Sequence, residues 1–584
     1  MVKQEDELLR LVQSGLPPDE LEAQVLRLLV KGFEEKDPTF GALLRAAAVP
    51  RRLDTATVGL LRGTPDDEPG NRTALKRLAD LSFVLPDPEG KSYTLHEQVR
   101  DLLLETWQTA DRRPRYEALS RALGAHFQEQ DPLEALYHRF VFDPGGALAG
   151  FERRFYDADK FYRRAECGAL VLTAEAQARE LDEAQRRWLG YYRARLALVL
   201  DRWAEAEAQY RSLLADLPEG ERELRTWTLH GLGMALDAQG QWEAAIGAYR
   251  EALEGWRALG NRHGEGQTLG NMGNVYDAQQ GRWAEALEAH EGSLRIFREL
   301  GDRHGEGLTL GNMGNVYHSQ GRWAEALEVY EQDLAICREL GDRHGEGQTL
   351  NNMGNVYYSQ GRWAEALEAY EQDLAICREL GDRHGEGLTP NNMGAVYQAQ
   401  GQWAEALKAY EGSLRIFREL GDRHGEGQTL NNVGDVYDSQ GRWAEALEAY
   451  EQDLAICREL GDRHGEGQTL NNIGETYTTM GQWAEAKTHF DQSLPIHREI
   501  GDRLGEAYVL HNLGRWHQEQ GQLEEATARY QEALRIWQEL GAWPQAGETL
   551  HALAQAYALR GEWPPAAEAA RQAAEAWEKV EQAR

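Results

Sequence analysis

The sequence predicts an all-α solenoid of stacked helical hairpins, preceded by a small helix-and-hairpin domain and a helical bridge. Three observations predict it. From about residue 221 the chain repeats itself every 40 residues, as in GDRHGEGQTLNNMGNVYYSQGRWAEALEAYEQDLAICREL at 341–380. Within each copy the apolar residues recur at helical spacing. The composition, rich in alanine, leucine, glutamate and arginine with 60 glycines and only 17 prolines, favours helices over strands.

Each copy reads as two helices around a turn glycine. These glycines fall at Gly240, Gly281, Gly321, Gly361, Gly401, Gly441, Gly481, Gly521 and Gly561, one step being longer because Gln280 is an extra residue. That makes nine copies, the first and last degenerate. In the first helix Leu350, Met353, Gly354 and Tyr357 share one buried face, and in the second Ala366, Leu367, Tyr370, Leu374 and Cys377 do. Gly354 and Ala366 are small where two helices approach closely. Gly361 closes the first helix, and Asp382 is placed to cap the next copy. One hairpin cannot bury its apolar face alone, so neighbours must stack to complete the core. In one copy Pro390 replaces the leucine of the first helix, which predicts a kink or a late start.

The pattern L-x-x-M-G-x-x-Y…G-x-W-x-x-A…Y resembles the tetratricopeptide repeat (TPR), and the GDRHGEG linkers with NNMGNVY are similar to Pins-type and kinesin-light-chain-type arrays. The resemblance covers about 360 residues. It implies a right-handed superhelix whose first helices line a concave groove, and a partner that is a protein or an extended peptide.

Differences between near-identical copies then point to a site. One first-helix column reads Asn274, Asn315, Asn355, Ala395, Asp435, Glu475 and Arg515; another, three residues on, reads Asp277, His318, Tyr358, Gln398, Asp438, Thr478 and Gln518. Three residues before the first column stands a constant asparagine: Asn271, Asn312, Asn352, Asn392, Asn432, Asn472 and Asn512. This spacing makes one helical stripe, and the family resemblance puts it on the groove side. An asparagine ladder can pair with a ligand's main chain, and the variable columns can select side chains. The plainer alternative is drift, or asparagines that bridge repeats. Against drift stand the constant exposed arginines Arg298, Arg338, Arg378, Arg418, Arg458 and Arg498. Replacing Asn352, Asn392 and Asn432 is accordingly expected to abolish binding without affecting melting. Asp435, Asp438 and Glu475 make one stretch acidic, so a basic ligand segment is expected there. Only Arg515 fits the family's clamp for carboxyl-terminal tails, which speaks against that specificity. Second helices come in two kinds, EGSLRIFREL and EQDLAICREL, ascribed here to duplicated parents with compensated packing.

Residues 1–110 differ in kind. Helices near 19–32, 38–48, 54–62 and 72–82 lead to SFVLPDPEGKSYTLH, two short strands around a turn, and then to a helix at 97–107. Helices followed by a β wing suggest a winged helix. YTLHEQVRDLLLE (93–105) and EALYHRF (134–140) resemble the winged-helix and linker region of STAND-class signalling ATPases. That resemblance implies a sensor half whose groove occupancy controls an ATPase domain or effector of the same system. Gly90-Lys91-Ser92 is no phosphate-binding loop, because Leu85 stands where that motif needs glycine. Residues 111–220 form the helical bridge with degenerate repeats, and 221–584 the array with a C-terminal capping helix.

The remaining chemistry is sparse. A formal charge of −34 argues against a nucleic-acid partner. The alternative function is a winged-helix DNA-binding regulator reading through Arg72, Lys76 and Arg77. Cys337, Cys377 and Cys457 occupy one repeat position, and with Cys167 they read as free thiols suited to a reducing cytoplasm. The linker histidines His263, His304, His344, His384, His424 and His464 are too far apart for a metal shell. Nucleophile, zinc and catalytic motifs are missing, so no enzyme, cofactor or metal is expected. MVKQEDELLRLVQSG lacks a signal peptide's pattern, and no run approaches a membrane span.

Overall fold

The computed structural model describes residues 18–583 apart from 89, 161–162 and 280–281. Gln280, Gly281 and the N-terminal stretch weighed as a leader therefore lie outside the described residues. The chain divides into two compact units, one ending at Asn271 and the other starting at Met272, inside the helix Arg262–Ala278.

The first unit opens with helices Pro18–Lys36, Pro38–Ala46, Thr55–Arg62 and Glu68–Ala79. Asp37, Asp54 and Asp67 cap three of them by accepting backbone N–H bonds. β1 (Val84–Pro86) then pairs antiparallel with β2 (Tyr93–Leu95), and Leu53 bridges to Tyr93 on β2's other edge. Leu44, Leu53, Val58, Leu78, Val84, Leu103 and Trp107 bury together beneath these elements. Gly90-Lys91-Ser92 lies in the hairpin turn, where the Lys91 N–H (2.9 Å) and the Ser92 hydroxyl (2.7 Å) donate to Asp87. Six further helices, from Arg113–Phe127 to Trp203–Asp216, carry the chain to the first repeat pair, Arg222–Asp237 and Trp242–Leu259.

The second unit is helix pairs at a 40-residue step, from Arg303–Ser319 with Trp323–Leu340 to Trp543–Leu559 with Trp563–Ala583. An aspartate N-cap starts the first helices before the last: Asp342, Asp382, Asp422 and Asp462 accept the N–H of the glycine three residues on, whereas Ala542 precedes Trp543–Leu559. Two glycines per copy end the helices in left-handed backbone, φ +70° at Gly361 and +69° at Gly381. The hairpins share their cores. Ala326, Tyr330 and Leu334 of one second helix pack on Leu350, Met353 and Val356 of the next first helix and on Ile376 beyond it. The fold is an all-α repeat solenoid.

Gly354 is required by contact rather than by φ. A Cβ there would lie 2.5 Å from the Tyr370 ring, which presses onto the first-helix backbone. Pro390 does not delay its helix, which starts at Arg383 as in other copies. Its missing N–H costs one helical bond, and Met393 beside it is less buried than its counterparts Met313 and Met353.

Candidate functional site

The predicted stripe is built by the first helices of the second unit, which touch their equivalents in successive copies. Their side chains meet along that side. Asn392, Asn432 and Asn472 each donate Nδ2 to the Oδ1 of an asparagine one repeat earlier, Asn351, Asn391 and Asn431, at 3.2 Å. Asn512 donates likewise to Asn471 at 3.1 Å and is itself buried, which takes it off the exposed face. His318 Nε2 meets Ser359 Oγ at 3.0 Å, Thr476 donates to Asp438 at 3.0 Å, and Arg515 pairs with Glu475 at 3.2 Å.

These bonds change the expected role of the ladder. Asn392, Asn432, Asn472 and Asn512 use one amide N–H to tie repeats together, so their removal must affect melting. Asn352 has no such partner, because Gly311 stands where the acceptor would be. Asn312 and Asn352 are half-buried. Asn271 lies in the first unit, its Nδ2 3.4 Å from His230 Nε2, and is not part of the second unit's face.

The variable columns are also partly committed. Tyrosines of the second helix reach under the glycine column to them: Tyr330 donates to Asn315 (2.5 Å), Tyr370 to Asn355 (2.6 Å) and Tyr450 to Asp435 (2.6 Å). Where alanine occupies the column, at Ala395, Tyr410 turns to Gln398 at 3.1 Å. Where glutamate does, at Glu475, the tyrosine is replaced by Phe490. Asn274, Asn315 and Tyr358 are exposed, and Asn355, His318, Gln398, Asp438 and Arg515 are half-exposed. Thr478 is buried with its hydroxyl on Gly474 O, which removes it from any ligand surface. Asp277 is half-buried; burial raises its carboxyl pKa, and its Oδ1 has no hydrogen-bond partner.

The acidic stretch has a perturbed member. Burial first, then the neighbouring Asp438, Glu475 and Asp453 charges, push the Asp435 carboxyl up to about 6, against the pull of the Tyr450 hydroxyl.

Five of the six constant arginines, all but Arg378, have a structural cause. Arg298, Arg338, Arg418, Arg458 and Arg498 donate to buried Glu306, Glu346, Glu426, Glu466 and Glu506. Burial works to raise the Glu306 and Glu346 carboxyls, but two guanidiniums on each outweigh it and hold them below the usual range. Their constancy therefore gives no measure of drift. The linker histidines pair locally, His344 with Gln348 (3.1 Å) and His424 with Gln428 (2.9 Å). In one place a linker histidine meets a second: His464 and His497 both approach Asp502, which accepts from His497 Nδ1 at 2.8 Å and caps Gly505. The four cysteines are buried and unpaired. In the first unit Arg72 pairs with Glu68 (2.6 Å), and Arg77 pairs with Asp37 (2.9 Å) while stacking over Phe40. That leaves Lys76 of the three basic residues a DNA reader would use.

One column was missed. The residue before the constant asparagine reads Gly311, Asn351, Asn391, Asn431 and Asn471, and opposite it the second helix places Asp333, Asp373, Ser413, Asp453 and Ser493, all buried. Asn351 donates to Asp373 and Asn431 to Asp453, both at 3.0 Å. The signal lay in the EQD/EGS alternation, ascribed above to duplicated parents, and in a GN/NN alternation of the first helices that accompanies it. Around Asp333 and Asp373 a cavity of about 460 Å³ opens on the face, with Asn312, Asn315 and Asn352 in its lining.

The sequence matches the family profile described as tetratricopeptide repeat over 264–339, 307–379, 385–459, 465–539 and 505–579, more than half of the chain, and a second profile of that description over 225–263. Among curated proteins none matches the sequence. Among solved structures the chain is similar to a STAND protein with a tetratricopeptide repeat sensor from Pyrococcus horikoshii, at 14% identity and TM-score 0.51 over 84% of this chain and 68% of that one. It is also similar to a Rap protein complexed with competence and sporulation factor (15%, TM-score 0.45, 61% and 98%). A third likeness is the quorum sensor NprR from B. thuringiensis (13%, TM-score 0.45, 61% and 99%). The Pyrococcus likeness supports the fold. Among the described residues no helix is long and apolar enough to cross a membrane.

Proposed function

The chain belongs to the tetratricopeptide-repeat family, and on that premise we propose that it is a non-enzymatic recognition protein of the cytoplasm that binds an extended peptide or protein segment along the first helices of its second unit. The observation that carries this reading is the continuous row of half-exposed polar side chains from Asn312 to Arg515, meeting from repeat to repeat. Asparagines on that row keep carbonyl oxygens, and in Asn352 also N–H donors, for a ligand's main chain. His318, Tyr358, Gln398, Asp435, Asp438 and Glu475 select its side chains, with a basic segment against the acidic end.

The first 110 residues act as a winged helix in this reading. Support comes from their order of helices and hairpin, with Leu53 bridging to Tyr93 on the hairpin's other edge. With the bridge to 220 and the array beyond, this makes a sensor half of a STAND-type system in which ligand occupancy biases an ATPase or effector partner. The engaged Arg72 and Arg77 favour this over DNA reading.

The test is selection of linear peptides by the immobilised full chain from a random display library. Selected peptides should lose about tenfold or more in affinity on the Tyr358→Ala/Gln398→Ala double variant and nothing on Glu368→Ala, on an exposed second-helix position. Failure to enrich any peptide, or equal loss on both variants, overturns the reading.

A further inference from the structure

Three departures from the repeat consensus rim one cavity. Leu308 and Leu388 stand where other copies have glutamine, and Gly311 stands where later copies have asparagine; all three line the space of about 460 Å³. Leu308 is 58% exposed and Leu388 38%.

Gly311 interrupts a network that is complete in the copies carrying Asp373 and Asp453. In the following copy Asn392 donates to Asn351, Asn351 donates to Asp373 Oδ2 at 3.0 Å, and Thr389 donates to the same carboxylate at 2.6 Å. In the copy with Gly311, Thr349 still donates to Asp333 at 2.6 Å, but the asparagine is missing from between Asp333 and Asn352. Asp333, which Thr349 and the Cys337 thiol (3.6 Å) reach, thus has one donor fewer than Asp373, and Asn352 lacks an acceptor, on either side of one gap. A Cβ on Gly311 would lie 3.2 Å from Asp333 Oδ2, so the gap borders the carboxylate directly. Asp333 is only 7% exposed, and burial raises its pKa. The lining holds four carboxylates, Asp333, Asp342, Asp373 and Asp382, and neither lysine nor arginine.

We propose that this cavity takes an arginine side chain of the bound peptide, its guanidinium donating to Asp333 where the Asn351 amide donates to Asp373 in the next copy. The proposal rests on the peptide-binding reading above and deepens it. The aliphatic stem lies against Leu308 and Leu388, and the ligand's own carbonyl accepts from Asn352. A planar fork of donors suits a buried carboxylate better than a compact ammonium does. Gly311 is then a specificity residue that leaves open, beside Asp333, the place asparagine fills in the following copies.

The experiment uses the full chain and four pools of otherwise randomised heptapeptides whose central residue is arginine, lysine, citrulline or norleucine. Citrulline keeps the shape but loses the charge and exchanges part of the donor fork for a carbonyl acceptor. The arginine pool should bind wild type about tenfold or more tightly than the citrulline pool. Asp333→Asn should erase that preference. So should Gly311→Asn, which restores the consensus residue and fills the gap with a fold-compatible side chain. Equal binding of the arginine and citrulline pools to wild type overturns the arginine site and leaves the peptide groove standing. An arginine preference that survives Gly311→Asn also overturns the site. Binding of no pool overturns the groove and the cavity proposal together.

Discussion

Asn432 donates its amide N–H to Asn391 Oδ1, one repeat earlier, at 3.2 Å. The equivalent Asn352 faces Gly311 and has no such bond. Asn432→Ala should therefore lose about 0.5–1.5 kcal/mol, and Asn352→Ala close to nothing. Chemical denaturation of the two variants side by side checks this; equal losses would contradict the role of Gly311.

Glu346 is 7% exposed and is held by Arg338 at 2.8 Å and by Arg343. Arg338→Ala leaves the buried carboxylate one donor poorer and should destabilise the array by about 1–2 kcal/mol. Arg295→Ala, on an exposed second-helix position, should not. Thermal melts at matched salt decide between them.

Gly354→Ala drives a methyl into the Tyr370 ring and should cost about 1–3 kcal/mol. Repeat arrays lose stability locally, so hydrogen exchange should quicken in 341–380 and its two neighbours first. Uniform quickening over the whole chain would argue against nearest-neighbour stacking.

Asp435 carries a testable pH signature. Its folded pKa, about 6, lies above the unfolded value near 3.8, so the folded state binds the proton more tightly. The penalty for charging it is full above pH 6, shrinks as pH falls, and is gone below the unfolded pKa. Asp435→Asn should thus be more stable than wild type by on the order of 2–3 kcal/mol near neutrality, with the difference closing between about pH 6 and pH 4. A constant difference across that window would place the perturbation elsewhere.

Much of this fold was legible because identical copies must stack identically. Leu350, Met353, Gly354 and Tyr357 declare a buried face by spacing alone, and Asp382 declares a cap. The stripe on the first helices was legible as positions. What each side chain does there was not. Asn392 and Asn432 bond across 41 residues, and a tyrosine hydroxyl reaches Asn355 from another helix 15 residues away. Both relations depend on how hairpins are spaced in three dimensions. The constant arginines misled for the same reason, since Arg338 looks idle until Glu346 is seen buried beside it. The Gly311–Asp333 gap was written in two alternations, but only stacking shows that they face each other.

The most direct measurement of the central claim is photo-crosslinking on the full chain with a selected peptide. Benzoylphenylalanine replaces Tyr358 in one variant and Glu368 in another. The account predicts a covalent adduct from position 358 that unlabelled peptide suppresses, and none from position 368. An adduct from 368 but not from 358 would place the ligand off the first-helix face and contradict the account.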